Sequence, residues 1–231
     1  ALTGLPAAPL IGPDTGTVDD ALAFASAGDL ASLDGIALHL YDTDPSAVDR
    51  SSWRALADLG EQAQRPIFQT EAQADGLGTA LLLHEALSTL GASMYLQNDL
   101  AVSALLGIPN PTALVALTEA DFTLQDPYHA LRHFSRDTAP GWVRVDAGAD
   151  AGGVLATAWL SPDADALTLV LVNPDATAAT VGLAFDAPPS SARVSRTVFP
   201  GVERSQDLGA LPPNGVVTVP GESVVTVAAL R

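Results

Sequence analysis

The sequence predicts an α/β layer with a parallel sheet over residues 1–140, followed by an all-β domain, an antiparallel sandwich, over residues 141–231. Three observations carry this expectation. Four short apolar runs begin about 25 to 31 residues apart, near the roughly 30 residues of a strand-helix-strand unit. Helical periodicity fills the gaps between them. From Trp142 onward the texture changes to short alternating runs divided by turn signals, the pattern of paired antiparallel strands.

The four expected parallel strands are Pro9 to Gly12, Ile36 to Tyr41, Pro66 to Thr70 and Ser93 to Gln97. Between the first pair, Val18, Ala21, Leu22, Ala25, Leu30 and Leu33 repeat with helical period behind Thr17, a suitable N-cap. Trp53, Leu56, Ala57 and Ala63 follow Ser51 and Ser52 in the same way, and Leu83, Ala86, Leu87 and Leu90 follow Gly78 and Thr79. A Pro-rich turn, Gly107 to Thr112, leads to a last helix over Pro127 to Ser135, closed by Pro140 and Gly141. Seven strands are expected beyond it: WVRVDA, VLATAWL, ALTLVLV, TVGLAF, ARVSRTVF, GVVTVP and SVVTVAAL, with SPDAD, NPDA, APPSS and PPNG as the turns.

At 231 residues the chain is long enough for one large domain or two small ones. Its 27 acidic against 10 basic residues give a net charge of -17, carried mostly by Asp, with no Lys at all. That charge repels phosphate backbones and anionic lipid, which disfavours nucleic acid and membrane surfaces as partners. No window approaches the roughly 18 consecutive apolar residues that span a bilayer. The absence of cysteine excludes disulfides, thiolate metal sites and thiol nucleophiles. Ala1 to Pro9 show neither Met nor a basic region ahead of an apolar one, which reads as a processed or truncated start.

Glu71 closes the run PIFQTE, and the C-terminal end of a parallel strand is where α/β enzymes place catalytic groups. The alternative is a solvated loop carboxylate. His39 and Tyr41 stand two apart in IALHLY and so share a strand face, where the Tyr hydroxyl can orient a neighbouring carboxylate; both can equally pack in the core. Asn98 and Asp99 end the fourth strand, Asn98 as a candidate for sugar hydroxyls and Asp99 as the cap of a following helix. His129 and His133 are four apart on a helix, but no third ligand lies near them in sequence, so packing roles are expected and no metal. Asp163 and Asp165 read as hairpin-turn residues, as do Asp146 and Asp150. A Walker loop, GxGxxG and GxSxG are all lacking, so no nucleotide and no cofactor is expected.

The order of these pieces resembles the C-terminal half of a glycoside hydrolase of family 30. HFSRDTAPGWVRVDA, from His133 to Ala147, resembles that family's junction between the last helix and the side domain; PIFQTE resembles its seventh barrel strand and IALHLY its sixth. The closing run SVVTVAAL resembles the end of its β-sandwich. The resemblance implies the C-terminal half of a TIM (β/α)8 barrel followed by an antiparallel β-sandwich, with Glu71 as the nucleophile of a retaining glycosidase acting on a β-linked polysaccharide or oligosaccharide. Tyr41 would orient Glu71, and His39 and Asn98 would touch sugar hydroxyls. Tyr95 stands where the family's sugar-floor Trp would be. The family's acid/base is a Glu after Asn, and no Asn-Glu pair occurs here.

A retaining mechanism needs two carboxyls about 5 Å apart. The resemblance therefore implies a partner for the barrel: a complementary N-terminal half-barrel, or a second copy of this chain as a homodimer partner. The alternatives are a non-catalytic carbohydrate-binding protein and a structural assembly protein with a degenerate glycosidase fold. The Asp-rich, Lys-free composition suggests a secreted or cell-surface protein that meets a polymer outside the cell.

Overall fold

The computed structural model describes residues 8–41, 43–103, 110–150 and 152–231. The chain divides into two compact units, one formed by residues 1–73 and 85–97 and the other by 74–84 and 98–231.

In the first unit, β1 (Ile11–Thr15), β2 (Gly35–His39), β3 (Ile67–Ala72) and β4 (Met94–Gln97) form a four-stranded sheet in that order, every pair parallel. All four expected strands are present, the first shifted toward the C-terminus. Helix α1 (Val18–Ser26) starts where Thr17 Oγ1 accepts the Asp20 N–H at 3.2 Å, with Asp19 and Asp20 favourably placed against the helix dipole. Helix α2 (Arg50–Ala63) is capped by Asp49, two residues earlier than Ser51 suggests. The Asp49 carboxylate accepts the Ser51 N–H and both serine hydroxyls, which lowers its pKa to about 2. Two glycines permit close packing here. A Cβ on Gly35 would lie 2.5 Å from the Phe68 ring, and one on Gly60 of α2 would meet Arg65 O at 3.1 Å and the Ile67 side chain at 3.3 Å. Of helix α3 (Gly76–Ser88), residues 85–88 belong to this unit; its Glu85 is buried and receives Arg50 and the Thr89 hydroxyl.

Among the described residues, the second unit holds three sheets. Asp99 is followed by a small sheet with no counterpart in the sequence expectation, β5 (Ala101–Ser103), β6 (Val115–Leu117) and β7 (Phe122–Leu124). Asp99 therefore caps no helix: its Oδ2 accepts from Asn110 Nδ2 at 3.0 Å, and its carbonyl receives the Leu114 N–H. The first half of the expected Gly107 to Thr112 turn lies outside the described residues. Helix α4 (Asp126–Ser135) then leads to a six-stranded antiparallel sheet of β8 (Val143–Val145), β9 (Leu155–Leu160), β10 (Ala166–Asn173), β12 (Ser191–Val198), β13 (Glu203–Ala210) and β15 (Ser223–Leu230), ordered β13-β12-β15-β10-β9-β8. A two-stranded sheet, β11 (Ala179–Gly182) with β14 (Val216–Val219), shares its core. Val154, Leu171, Val181, Val194, Val217, Val219, Val225 and Val227 make that core, each contributing about 1.5–3 kcal/mol by leaving water.

Strand β13 is absent from the sequence expectation because ERSQDLGA is a polar edge strand, exposed along nearly its whole length, and so shows no period-two signal. Central β15 is buried on both faces. Val225 and Val227 enter the core, while Thr226 on the opposite face meets His133 of α4. No helix among the described residues is long and apolar enough to cross a membrane.

Candidate functional site

Alternation along β3 sets which side chains meet. Ile67 faces Gly60 of α2, and Phe68 covers Gly35 on the other side of the sheet, so Thr70 shares the Phe68 face. Between Gln69 and Glu71 the register against β2 slips: Leu38 pairs with Gln69, and the next residue, His39, pairs with Glu71. The slip places the Glu71 carboxylate beside His39 at the C-terminal end of the sheet.

Three strand-end segments, those of β1, β2 and β3, converge there. The Tyr41 hydroxyl donates to Glu71 Oε2. His39 Nδ1 lies 3.7 Å from the same oxygen, and its ring meets the Tyr41 ring edge-on with centroids 5.1 Å apart. On its other side, His39 Nε2 lies 3.4 Å from Asp14 Oδ1, which accepts the Thr70 hydroxyl at 2.5 Å. Asp14 has φ of 60° in an irregularity of the β1–β2 pairing between Pro13 and Thr15, a left-handed conformation that Asp tolerates better than most residues. His39 is mostly covered, its side chain 18% exposed, whereas Glu71 and Asp14 are open to solvent at 41% and 54%. Among the described residues, Glu71 Oε1 accepts no hydrogen bond. One carboxylate oxygen is thus held while the other is free to attack an electrophile or accept a sugar hydroxyl.

Three of the residues singled out from the sequence, His39, Tyr41 and Glu71, come together. Tyr95 does not join them. It pairs in register with Gln69 and so lies on the opposite sheet face, its hydroxyl 3.3 Å from Gln97 Oε1, where burial raises its pKa well above that of an ordinary phenol. Gln69 is fully buried and accepts the Leu96 N–H at 2.8 Å, which bridges the irregular β3–β4 pairing. Asn98 follows β4 and belongs to the second unit. Asp14 and Thr70 were not legible as site residues: Asp14 stands in PDTG, which reads as a turn, and Thr70 reads as an ordinary strand residue.

The remaining histidines have structural partners within the second unit. His133 Nδ1 lies 2.7 Å from Thr226 Oγ1 and its Nε2 2.8 Å from Thr197 Oγ1. His129 Nδ1 lies 2.9 Å from Ser205 Oγ, and His84 Nδ1 2.7 Å from Thr157 Oγ1. Burial lowers the pKa of His133 to about 3, with nearby Arg132 acting in the same direction; burial also lowers that of His129. In the β9–β10 turn, Asp165 Oδ1 accepts the Ser161 hydroxyl and returns its own N–H to Ser161 Oγ, the hairpin role expected of SPDAD. Among the described residues, no group of three or more His, Asp or Glu side chains is placed to hold a metal ion.

No family model matches the chain, and no curated protein matches it in sequence. Solved structures do match in fold. The endoxylanase of glycoside hydrolase family 30 from Clostridium papyrosolvens C71 superposes with a TM-score of 0.73 at 19% identity, over 96% of this chain and 56% of its own length. The catalytic domain of family 30 xylanase C from Talaromyces cellulolyticus gives 0.71 at 20% identity, over 96% and 52%. A conserved exported protein from Bacteroides fragilis gives 0.71 at 14%, over 84% and 46%. The chain therefore spans about half the length of the structures it matches. Its fold is that of part of a family 30 glycoside hydrolase, as the junction and strand motifs anticipated.

Proposed function

We propose that this chain contributes the nucleophile half of a retaining glycoside hydrolase acting on a β-linked polysaccharide or oligosaccharide outside the cell. The observation that carries this reading is the Tyr41–Glu71 hydrogen bond at the C-terminal ends of adjacent parallel strands, where barrel enzymes assemble their active sites. A phenol that binds one carboxylate oxygen orients the other toward an anomeric carbon. Attack by Glu71 would form a glycosyl-enzyme intermediate that water then hydrolyses.

Strands β1 to β4 would form the second half of an eight-stranded barrel, with residues 141–231 as its β-sandwich side domain. The general acid would come from the other four strands, on a carboxyl about 5 Å from Glu71. A complementary N-terminal half or a second polypeptide would supply those strands. The lack of any Asn-Glu pair favours one rival reading, a carbohydrate-binding or assembly protein that keeps the fold without the chemistry.

The deciding test is covalent trapping with a 2,4-dinitrophenyl 2-deoxy-2-fluoro-β-xyloside. Its leaving group departs without a general acid, so the missing carboxyl does not matter. A glycosyl adduct mapped to Glu71, and lost in Glu71→Gln, supports the enzyme. Reversible xylo-oligosaccharide binding without any adduct supports the binding protein instead.

A further inference from the structure

We infer that Asp14 is a positioning residue for Glu71, acting through His39; the inference rests on the glycosidase reading of this same site. The imidazole stands between two carboxylates, its Nε2 3.4 Å from Asp14 Oδ1 and its Nδ1 3.7 Å from Glu71 Oε2. With its side chain mostly covered, His39 has, among the described residues, these two carboxylates as ionic partners. Asp14 in turn is located by the Thr70 hydroxyl, one residue before Glu71 on the same strand. Asp14, His39, Glu71 and Thr70 therefore close a ring across β1, β2 and β3.

The ring has a direction. A carboxylate facing one imidazole nitrogen favours a proton there and holds the ring's orientation, the part a buried Asp plays toward the His of a hydrolase triad. Asp14 faces Nε2, so it sets which edge of His39 is turned to Glu71. Together with the Tyr41 hydroxyl, that edge confines Glu71 Oε2 and leaves Oε1 as the attacking oxygen. Without Asp14 the imidazole is free to turn, and Glu71 loses one wall of its pocket. The backbone at Asp14, with positive φ within an irregular strand pairing, is what aims this carboxylate at Nε2.

The test uses the same fluoroxyloside on wild type, Asp14→Asn, His39→Asn and the double variant, together with imidazole ¹⁵N spectra of His39. Asp14→Asn is expected to slow the maximal rate of adduct formation about tenfold or more, while the probe concentration giving half-maximal rate stays within about twofold. Asp14→Asn should also shift the His39 ring resonances. Adding it to His39→Asn should slow labelling no further, because the two act as a unit. Labelling of Asp14→Asn at the wild-type rate overturns the inference and leaves the glycosidase reading intact. If wild type itself takes no label, the glycosidase reading falls and the spectra alone decide the contact: unchanged His39 resonances in Asp14→Asn overturn it as well.

Discussion

Acidification should destabilise the second unit through His133. The ring lies among β-strand side chains with both nitrogens on threonine hydroxyls, and its pKa falls from 6.5 to about 3. The unfolded chain takes up a proton near pH 6.5, but the folded chain holds none until near pH 3. Between those values the unfolded state binds more protons, so this contribution to stability is complete above pH 6.5 and is lost as pH falls toward 3. One such group removes about 2 kcal/mol at pH 5 and about 3 kcal/mol at pH 4. Carboxylates titrate in the same range, so the measurement is a difference between wild type and His133→Gln, which cannot titrate. Urea unfolding followed by the fluorescence of Trp159, whose ring packs against Phe134 of α4 at 5.9 Å, reads this unit once Trp53 and Trp142 are replaced by Phe in both proteins. Wild type should lose about 2 kcal/mol more than the variant between pH 7 and pH 5. Equal losses would refute the argument that burial keeps His133 neutral.

Tyr41→Phe removes the hydroxyl from Glu71 Oε2 and is expected to slow fluoroxyloside labelling by roughly ten- to a hundredfold, since a hydrogen bond to a charged group is worth about 1.5–3 kcal/mol; an unchanged labelling rate would show that the phenol does not orient the nucleophile. Gly35→Ala places a methyl group 2.5 Å from the Phe68 ring, and overpacking of this kind costs about 1–3 kcal/mol, to be read as a lower urea midpoint with an unchanged slope. With a net charge of -17, moderate salt should raise the melting temperature by screening like charges. A melting temperature independent of ionic strength would show that the charge is too dispersed to matter.

Local rules determine much of this protein independently of its tertiary fold. The spacing of PLIG, IALHLY, PIFQT and SMYLQ marked the parallel strands, Thr17 marked the start of α1, and alternation marked the strands after Trp142, because each signal is read within a few residues of itself. Glu71 and Tyr41 were legible as candidates because residues at the ends of parallel strands point into a shared crevice. The tertiary structure decided the rest. Strand β13 and the sheet β5-β6-β7 carry no period of their own and exist through pairing with partners. The cap of α2 at Asp49 depended on which side chain actually reached the free N–H groups. Asp14 entered the site only through an irregular strand pairing that no local pattern encodes, and Tyr95 left it because the register with Gln69 turns it to the other face. A one-residue slip reverses the face of a side chain, and register is settled between strands rather than within them.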